Sequence, residues 1–504
     1  MEQGTSNIPA APHAKAATGV PGLDDVLAGG LTEGNVFLLE GSPGTGKTTI
    51  ALRFLVAGAE AGDRGLYITL SETEAELRAS AASHGWSIGG NIEIYELVPP
   101  ESLLGEAQEQ TLLYSADLEL GETAKLIFEQ VERIKPQRIV IDSLSEIRLL
   151  AQSSLRYRRQ ILALKHYFKG HGTTVLMLDD LTSEAQDKTV HSVAHGVIAL
   201  QELAPEYGGE RRRLRVSKYR GQAFRGGYHD FRIETGGVVV FPRLVSGEHQ
   251  RAYPRKQNGS GIAELDKLLG GGVDQGTSVL LLGPSGAGKS ILTLQFVVAA
   301  AARGERSAIF IFDEELGLLL DRARALGFDL EALRDAGLLH VEQVDAAELS
   351  PGEFTHRVRA QLAGGLSTVV IDSLNGYRTA MPDERSLTLH IHELLQFLNR
   401  QGVTTFLTVA QHGLVGDLDA PVEVTYLADT VILLRYFEAA GAIRRAVSVI
   451  KKRAGEHEET IREYRIGTGG VKVGPPLSQF HGVLAGVPRF VGETQPLLDE
   501  RPAG

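Results

Sequence analysis

Cysteine is absent from the 504-residue chain, tryptophan occurs once and methionine three times. With no cysteine there are no disulfides, thiolate metal ligands or cysteine nucleophiles, and the composition suits a reducing cytoplasm. No apolar run is long enough to cross a bilayer, so no membrane association is expected. The opening "MEQGTSNIPAAPHAKAA" lacks the apolar core of a secretory signal and reads as a disordered lead over residues 1–17. A basic balance is also missing. The formal net charge of -12 gives no global attraction to nucleic acid. Basic clusters such as "RYRR" (156–159) and "ERRRLRVSKYR" (210–220) must therefore be judged on their positions.

What is present is a soluble globular composition, 43% hydrophobic and 23% charged, in a chain too long for one core. The length has a simple origin. "TGVPGLDDVLAGGLTEGNVFLLEGSPGTGKT" (18–48) aligns without a gap to "SGIAELDKLLGGGVDQGTSVLLLGPSGAGKS" (260–290), Lys47 against Lys289, an offset of 242. At "RIVIDSL" and "TVVIDSL" the offset has fallen to 230, so the first copy carries about twelve extra residues, which we place in "PPESLLGEAQEQTLLYSADL". The chain is a tandem duplication. The copies are assigned to residues 18–245 and 258–473, joined by a polar linker at 246–257 and followed by a tail at 474–504 with some ordered anchors.

In each copy short Val/Ile/Leu runs alternate with helical patterns: "NVFLLEG", "GLYITLSE", "RIVIDS", "TTVLMLDD" in the first, "SVLLLGP", "AIFIFDEE", "TVVIDS", "TTFLTVAQ" in the second. Nearly continuous apolar strands predict an α/β fold whose mostly parallel central sheet is covered by helices on both faces. The closing strands, joined by Gly-rich turns, predict antiparallel additions at the edge.

"GSPGTGKT" (41–48) and "GPSGAGKS" (283–290) each follow an apolar strand. The pattern G-x-x-x-x-G-K-[ST] lets successive backbone N–H groups face one anion at a helix N-terminus. Candidate nucleotide-binding residues are Gly41, Ser42, Gly44, Thr45, Gly46, Lys47 and Thr48, and Gly283, Ser285, Gly286, Ala287, Gly288, Lys289 and Ser290. The lysines would reach the β- and γ-phosphates, and the hydroxyls of Thr48 and Ser290 would face Mg2+. Asp142 and Asp372, each ending a buried strand in "IDS", are the matching carboxylates for the metal, although such an Asp can also cap a helix. No N-K-x-D guanine-reading motif occurs, so ATP is the expected nucleotide. Hydrolysis needs a group to orient water, and Glu72 and Glu314, with Asp313 behind them, in "LSET" and "FDEE" are the candidates; the alternative is a first-turn helix acid. The "DD" at 179–180 either tunes the nucleotide site or caps the next helix.

Together with "SETEAELRASAASHGW", "KYRG" and "KKRAGEH", these motifs resemble the KaiC proteins, tandem RecA-like ATPases of the cyanobacterial clock with relatives outside clocks. The resemblance runs from about residue 18 to 473. It implies a double-ring homohexamer with ATP between neighbouring subunits, in which Lys218 and Arg220, and Lys451 and Arg453, reach the neighbour's γ-phosphate. It also implies serine/threonine autokinase activity in the second copy, and a KaiB-like or other signalling protein as partner. The acceptor pair of KaiC falls on "TY": Thr425 takes the Ser position, and Tyr426 replaces the Thr, so one acceptor of the usual kind remains. Where KaiC has paired glutamates the first copy has Ser71-Glu72.

Two rival functions fit parts of the sequence. A RecA-like DNA-dependent ATPase would need basic loops with stacking aromatics, for which "SLRYRRQ" (154–160) is the segment to inspect. An ATP-gated scaffold would assemble while turning over little nucleotide. The histidines of "HSVAH" and "HIH" lack an accompanying acid or cysteine pattern and are read as surface residues rather than zinc ligands.

Overall fold

The computed structural model describes residues 14–97, 112–151, 153–181, 189–204, 208–248, 251–345, 347–379, 387–411, 425–439, 441–483 and 489–490. The chain divides into two compact units, 1–243 and 244–504. The family of β-branched runs becomes two nine-stranded sheets built to one plan.

In the first unit the order across the sheet is Gly237–Phe241, His229–Glu234, Arg211–Tyr219, Gly196–Leu203, Val36–Gly41, Thr174–Asp180, Arg138–Asp142, Gly65–Thr69 and Ile92–Glu96. The six strands from Gly196–Leu203 onward are parallel and the three preceding it add antiparallel. The second unit repeats this with Ser278–Gly283 in the place of Val36–Gly41, and Thr430–Ala439, Ala442–Lys452, Arg462–Gly467 and Gly470–Pro476 toward the antiparallel edge. This is the two-copy α/β architecture expected from the repeat.

The central strands can be continuously apolar because both faces are covered. Phe37 and Leu39 face one core of the first unit with Ile50, Phe54 and Tyr67. Val36 and Leu38 face the other with Ile141, Ile161 and Phe168. Leu280 and Leu281 divide between the two cores of the second unit in the same way. Local signals set the helix boundaries. Thr73 and Glu76 form a reciprocal capping box that starts helix Glu74–Ser83, and Ser350 caps the helix begun by Pro351.

Three segments adjust the sequence reading. Lys15–Ala16, placed in the lead, pairs with Leu31–Thr32, while residues 1–13 lie outside the described residues. Part of the insertion, 98–111, also lies outside them; the helix that follows, Leu112–Ile134, has 23 residues against 12 in Pro351–Leu362 of the second copy. In the tail, Phe480–His481 pairs with Arg489–Phe490, and Val483 is buried against Phe437, Ala439 and Ala446. No helix among the described residues is long and apolar enough to cross a membrane.

A buried histidine joins the antiparallel edge to the chain that leaves it. His229 is fully buried; its Nδ1 accepts the Arg243 N–H at 2.8 Å and its Nε2–H donates to the Arg225 carbonyl at 2.9 Å, which fixes the neutral tautomer. Burial pushes its pKa down from 6.5 to about 4. Between those values the unfolded chain takes up a proton that the folded one refuses, so stability falls as pH drops from about 6.5 toward about 4. The full effect is on the order of 3 kcal/mol. Thermal unfolding followed at pH 7 and pH 5 should show a smaller pH-dependent loss in His229→Gln than in the parent; an equal loss would refute the assignment.

Candidate functional site: two phosphate-loop pockets

Each phosphate loop leaves the C-terminal end of a central parallel strand and runs into a helix, Lys47–Glu60 or Lys289–Ala302. The residues just before these helices, Gly46 and Gly288, have φ of 90° and 98°, in the left-handed region, and a Cβ on either would collide with Ile233 or Ile466 of the antiparallel edge. Glycine is required there twice over. Gly44 and Gly286 also turn with positive φ. Thr45 is fully buried and its hydroxyl donates to the Ser42 carbonyl at 2.7 Å; its counterpart Ala287 is also fully buried, and its carbonyl accepts the Tyr464 hydroxyl. The Tyr436 hydroxyl lies 3.4 Å from the Ser285 carbonyl.

Both lysines curl back over their loops. Lys47 Nζ donates to the Gly41 and Ser42 carbonyls at 2.8 and 2.9 Å, and Lys289 Nζ to the Gly283 and Pro284 carbonyls at 2.9 Å each. The ammonium groups are thus fixed at the mouth of each loop.

On the metal side, Thr48 Oγ1 stands 3.4 Å from Asp142 Oδ2. Asp142 also accepts the Tyr67 hydroxyl at 2.6 Å, and burial holds its carboxyl above the usual aspartate range. Asp372 is held from the opposite neighbour: Thr408 Oγ1 donates to it at 2.5 Å. Ser290 occupies the second position of its helix, as Thr48 does. A hydroxyl and a carboxylate beside the loop form an all-oxygen donor set that would suit a hard divalent cation.

The acids expected to orient water separate. Glu72 is half-buried, and its carboxyl is held above the usual range by burial and then by Asp142, Glu76 and Asp180. It therefore shares the electrostatic environment of the metal-side carboxylate. Glu314 instead makes a bidentate ion pair with Arg322, at 2.6 and 2.8 Å. Asp313 accepts the hydroxyl of Ser373, the residue after Asp372. In the second copy it is Asp313, rather than Glu314, that is joined to the metal-side segment.

The four edge cations lie far from their own loops. Lys218 is level with Val197, which is level with Leu38; Lys451 is level with Val431 and so with Leu280. Each therefore sits three residues back along the loop strand and two strands across, about 14 Å from Gly41 or Gly283 by ordinary sheet spacings. Arg220 and Arg453 lie further still from the loop end. Lys218 donates to the His191 carbonyl, and Lys451 to the Thr425 and Ala428 carbonyls at 3.1 and 2.7 Å. Arg220 reaches the Ser192 carbonyl at 2.6 Å and Arg453 the Tyr426 carbonyl at 3.0 Å. Thr425 is thus part of the same bracket as Lys451 and Arg453, and His191 occupies its position in the first copy.

Sequence reasoning did not single out Tyr67, Thr408, Ser373 or Arg322. Alignment of the copies could have raised Tyr67 and Arg322 as differences, since Tyr67 matches Ile309 and Arg322 matches Ser80, whereas Ser373 matches the identical Ser143; only packing shows what each touches. No cluster of three or more histidine, aspartate or glutamate residues able to hold a metal ion occurs among the described residues.

The family model described as "ATPase: KaiC" matches the chain twice, at residues 16–245 and 259–478. Among curated proteins, the circadian clock protein KaiC3 of a Synechocystis species is 28% identical over 492 residues, covering 95% of this chain and 96% of that protein. The circadian clock oscillator protein KaiC of Thermostichus vulcanus is 28% identical over 94% of this chain and 92% of its own length. That of Prochlorococcus marinus is 28% identical over 95% and 97%. With two copies of one sheet plan, a phosphate loop at the same point in each, and both copies matched by one family model, the chain belongs to the KaiC family of ATPases.

Proposed function

We propose that the protein is a Mg2+-dependent ATPase that works as a double-ring homohexamer, with serine/threonine autokinase activity in its second copy. The observation that carries this reading is the position of Lys218, Arg220, Lys451 and Arg453. They stand about 14 Å or more from the loop of their own copy, beyond the reach of a lysine side chain. A phosphoryl group in transfer needs cations on its outer oxygens, so a neighbouring protomer is the natural donor.

In each pocket the loop N–H groups and Lys47 or Lys289 bind the β- and γ-phosphates. Thr48 with Asp142, and Ser290 with Asp372, would hold Mg2+, which neutralises charge on the phosphate chain when bound. In the first copy Glu72 orients the attacking water and accepts its proton as the γ-phosphoryl group passes to that water, leaving ADP and inorganic phosphate. In the second copy Asp313 is the better placed base because of its link to Ser373, and Glu314 serves only after leaving Arg322. Thr425, bracketed with Lys451 and Arg453, lies where those cations would present its hydroxyl to the neighbour's γ-phosphate. A KaiB-like or other signalling protein is the expected partner, and the site of action is the cytoplasm.

The nucleic-acid reading loses its best segment. Tyr157, the aromatic in "SLRYRRQ", is fully buried in helix Ser154–Gly170 and offers no face for base stacking.

Complementation tests the shared pocket. Lys47→Ala/Lys289→Ala protein and Lys218→Ala/Lys451→Ala protein should each lose ATP turnover by at least about 100-fold, and mixing them should restore a measurable fraction. No recovery in mixed assemblies that native mass spectrometry shows to have formed would reject catalysis in trans. Because Glu72 must be ionised to act and its carboxyl is held high, turnover in Lys289→Ala protein should rise with pH from the ordinary glutamate range upward. Glu72→Gln should abolish both the rise and most of the rate. After incubation with Mg-ATP, intact mass should show one added phosphoryl group per chain. Its persistence in Thr425→Ala would reassign the acceptor.

A further inference from the structure

The two pockets differ in one charge placed directly on the loop lysine. In the first copy Asp180 Oδ1 lies 2.7 Å from Lys47 Nζ. With the Gly41 and Ser42 carbonyls, that contact uses all three N–H donors of the ammonium. In the second copy the corresponding strand, Thr404–Ala410, ends in Ala410 where Thr174–Asp180 ends in Asp180. The register is the same in both: Gly41 is level with Asp180, and Gly283 with Ala410. Among the described residues no carboxylate forms an ion pair with Lys289, whose ammonium donates to the Gly283 and Pro284 carbonyls.

The neighbouring charges single out Asp180. Asp179, beside it, is neutralised by Arg148 at 2.5 Å, and Glu40 by His191 at 2.6 Å when the imidazole is protonated. Their counterparts in the second copy are Val409 and Leu282. Asp180 is part-exposed, at 29%, and is held on the ammonium that a phosphate would engage. A carboxylate oxygen at this distance from Nζ stands in for a phosphate oxygen in charge and in hydrogen-bonding role.

We propose that Asp180 is an internal competitor for the phosphate-loop lysine, so that the first pocket binds nucleotide more weakly than the second and fills after it. Entry of a nucleotide at the first pocket exchanges one anionic partner of Lys47 for another and releases Asp180 from the ammonium. Entry at the second pocket meets a lysine with a donor to spare. The difference is an equilibrium property of binding, separate from the catalytic step. It rests on the reading of both loops as nucleotide sites.

The test isolates each pocket and reads binding rather than turnover. A fluorescent ADP analogue is titrated in EDTA against Lys289→Ala protein, where only the first pocket binds, with and without Asp180→Asn or Asp180→Ala. Both changes should tighten binding roughly five- to twentyfold at low salt, Asn keeping the shape and removing the charge. The reciprocal change, Ala410→Asp in Lys47→Ala protein, should weaken the second pocket by a similar factor. The parent pockets should differ in the same direction, the second being tighter. Unchanged or weaker binding in the Asp180 variants, or equal affinities of the two parent pockets, overturns the proposal. Failure of both single-pocket proteins to bind the analogue at all, with the parent also failing, would instead strike the nucleotide reading itself.

Discussion

A parallel strand delivers its end to one side of a sheet, and both pockets depend on this directional constraint. Val36–Gly41 and Ser278–Gly283 are each flanked by parallel neighbours, so the loop, the metal-side aspartate and the "DD" position all emerge at one end. The antiparallel strands that follow must run back, and they carry Lys218, Arg220, Lys451 and Arg453 away from that end. Topology alone thus sets the phosphate loops and these four cations toward opposite ends of the sheet in each unit.

The duplication has diverged where the copies need no shared geometry. Backbone features persist: the positive φ at Gly46 and Gly288, the collision with Ile233 and Ile466 that forbids a side chain there, and the lysine bonded to two loop carbonyls. Side-chain solutions differ. Asp142 is steadied by Tyr67 from the strand on one side, and Asp372 by Thr408 from the strand on the other. Asp142 is buried and Asp372 partly so, and either donor satisfies the carboxylate, so the requirement is chemical rather than positional. Charge is distributed unevenly as well: the positions of Glu40, Asp179 and Asp180 in the first copy are taken by Leu282, Val409 and Ala410 in the second.

Much of the fold could be read before any coordinates. Continuous Val/Ile/Leu strands identified the two-sided parallel sheet, and the gap-free match from 18–48 to 260–290 identified the repeat. The loop residues were equally legible, because a glycine-rich anion cradle constrains residue type at fixed spacing. The acids were less so. Glu314 matches Glu72 in sequence, yet Arg322 one helical face away claims it, and an ion pair across eight residues leaves no distinctive spacing. Lys15–Ala16 was read as part of a disordered lead because a two-residue strand is too short to show periodicity; its pairing with Leu31–Thr32 is a tertiary event. The role of "DD" stayed open until the register set Asp180 beside Gly41.

One contact of the first copy reaches beyond the chemistry. Glu40 directly precedes the loop, and its carboxylate meets the ring of His191, whose own carbonyl holds Lys218. Loop strand, imidazole and rim ammonium therefore form a continuous polar chain within one half of the molecule. Leu282 interrupts the same route in the other half. In the first copy polar groups join the loop strand to the edge ammonium, whereas the second sets a hydrocarbon side chain at the equivalent point of its loop strand. Descended from one ancestor, the halves are wired differently.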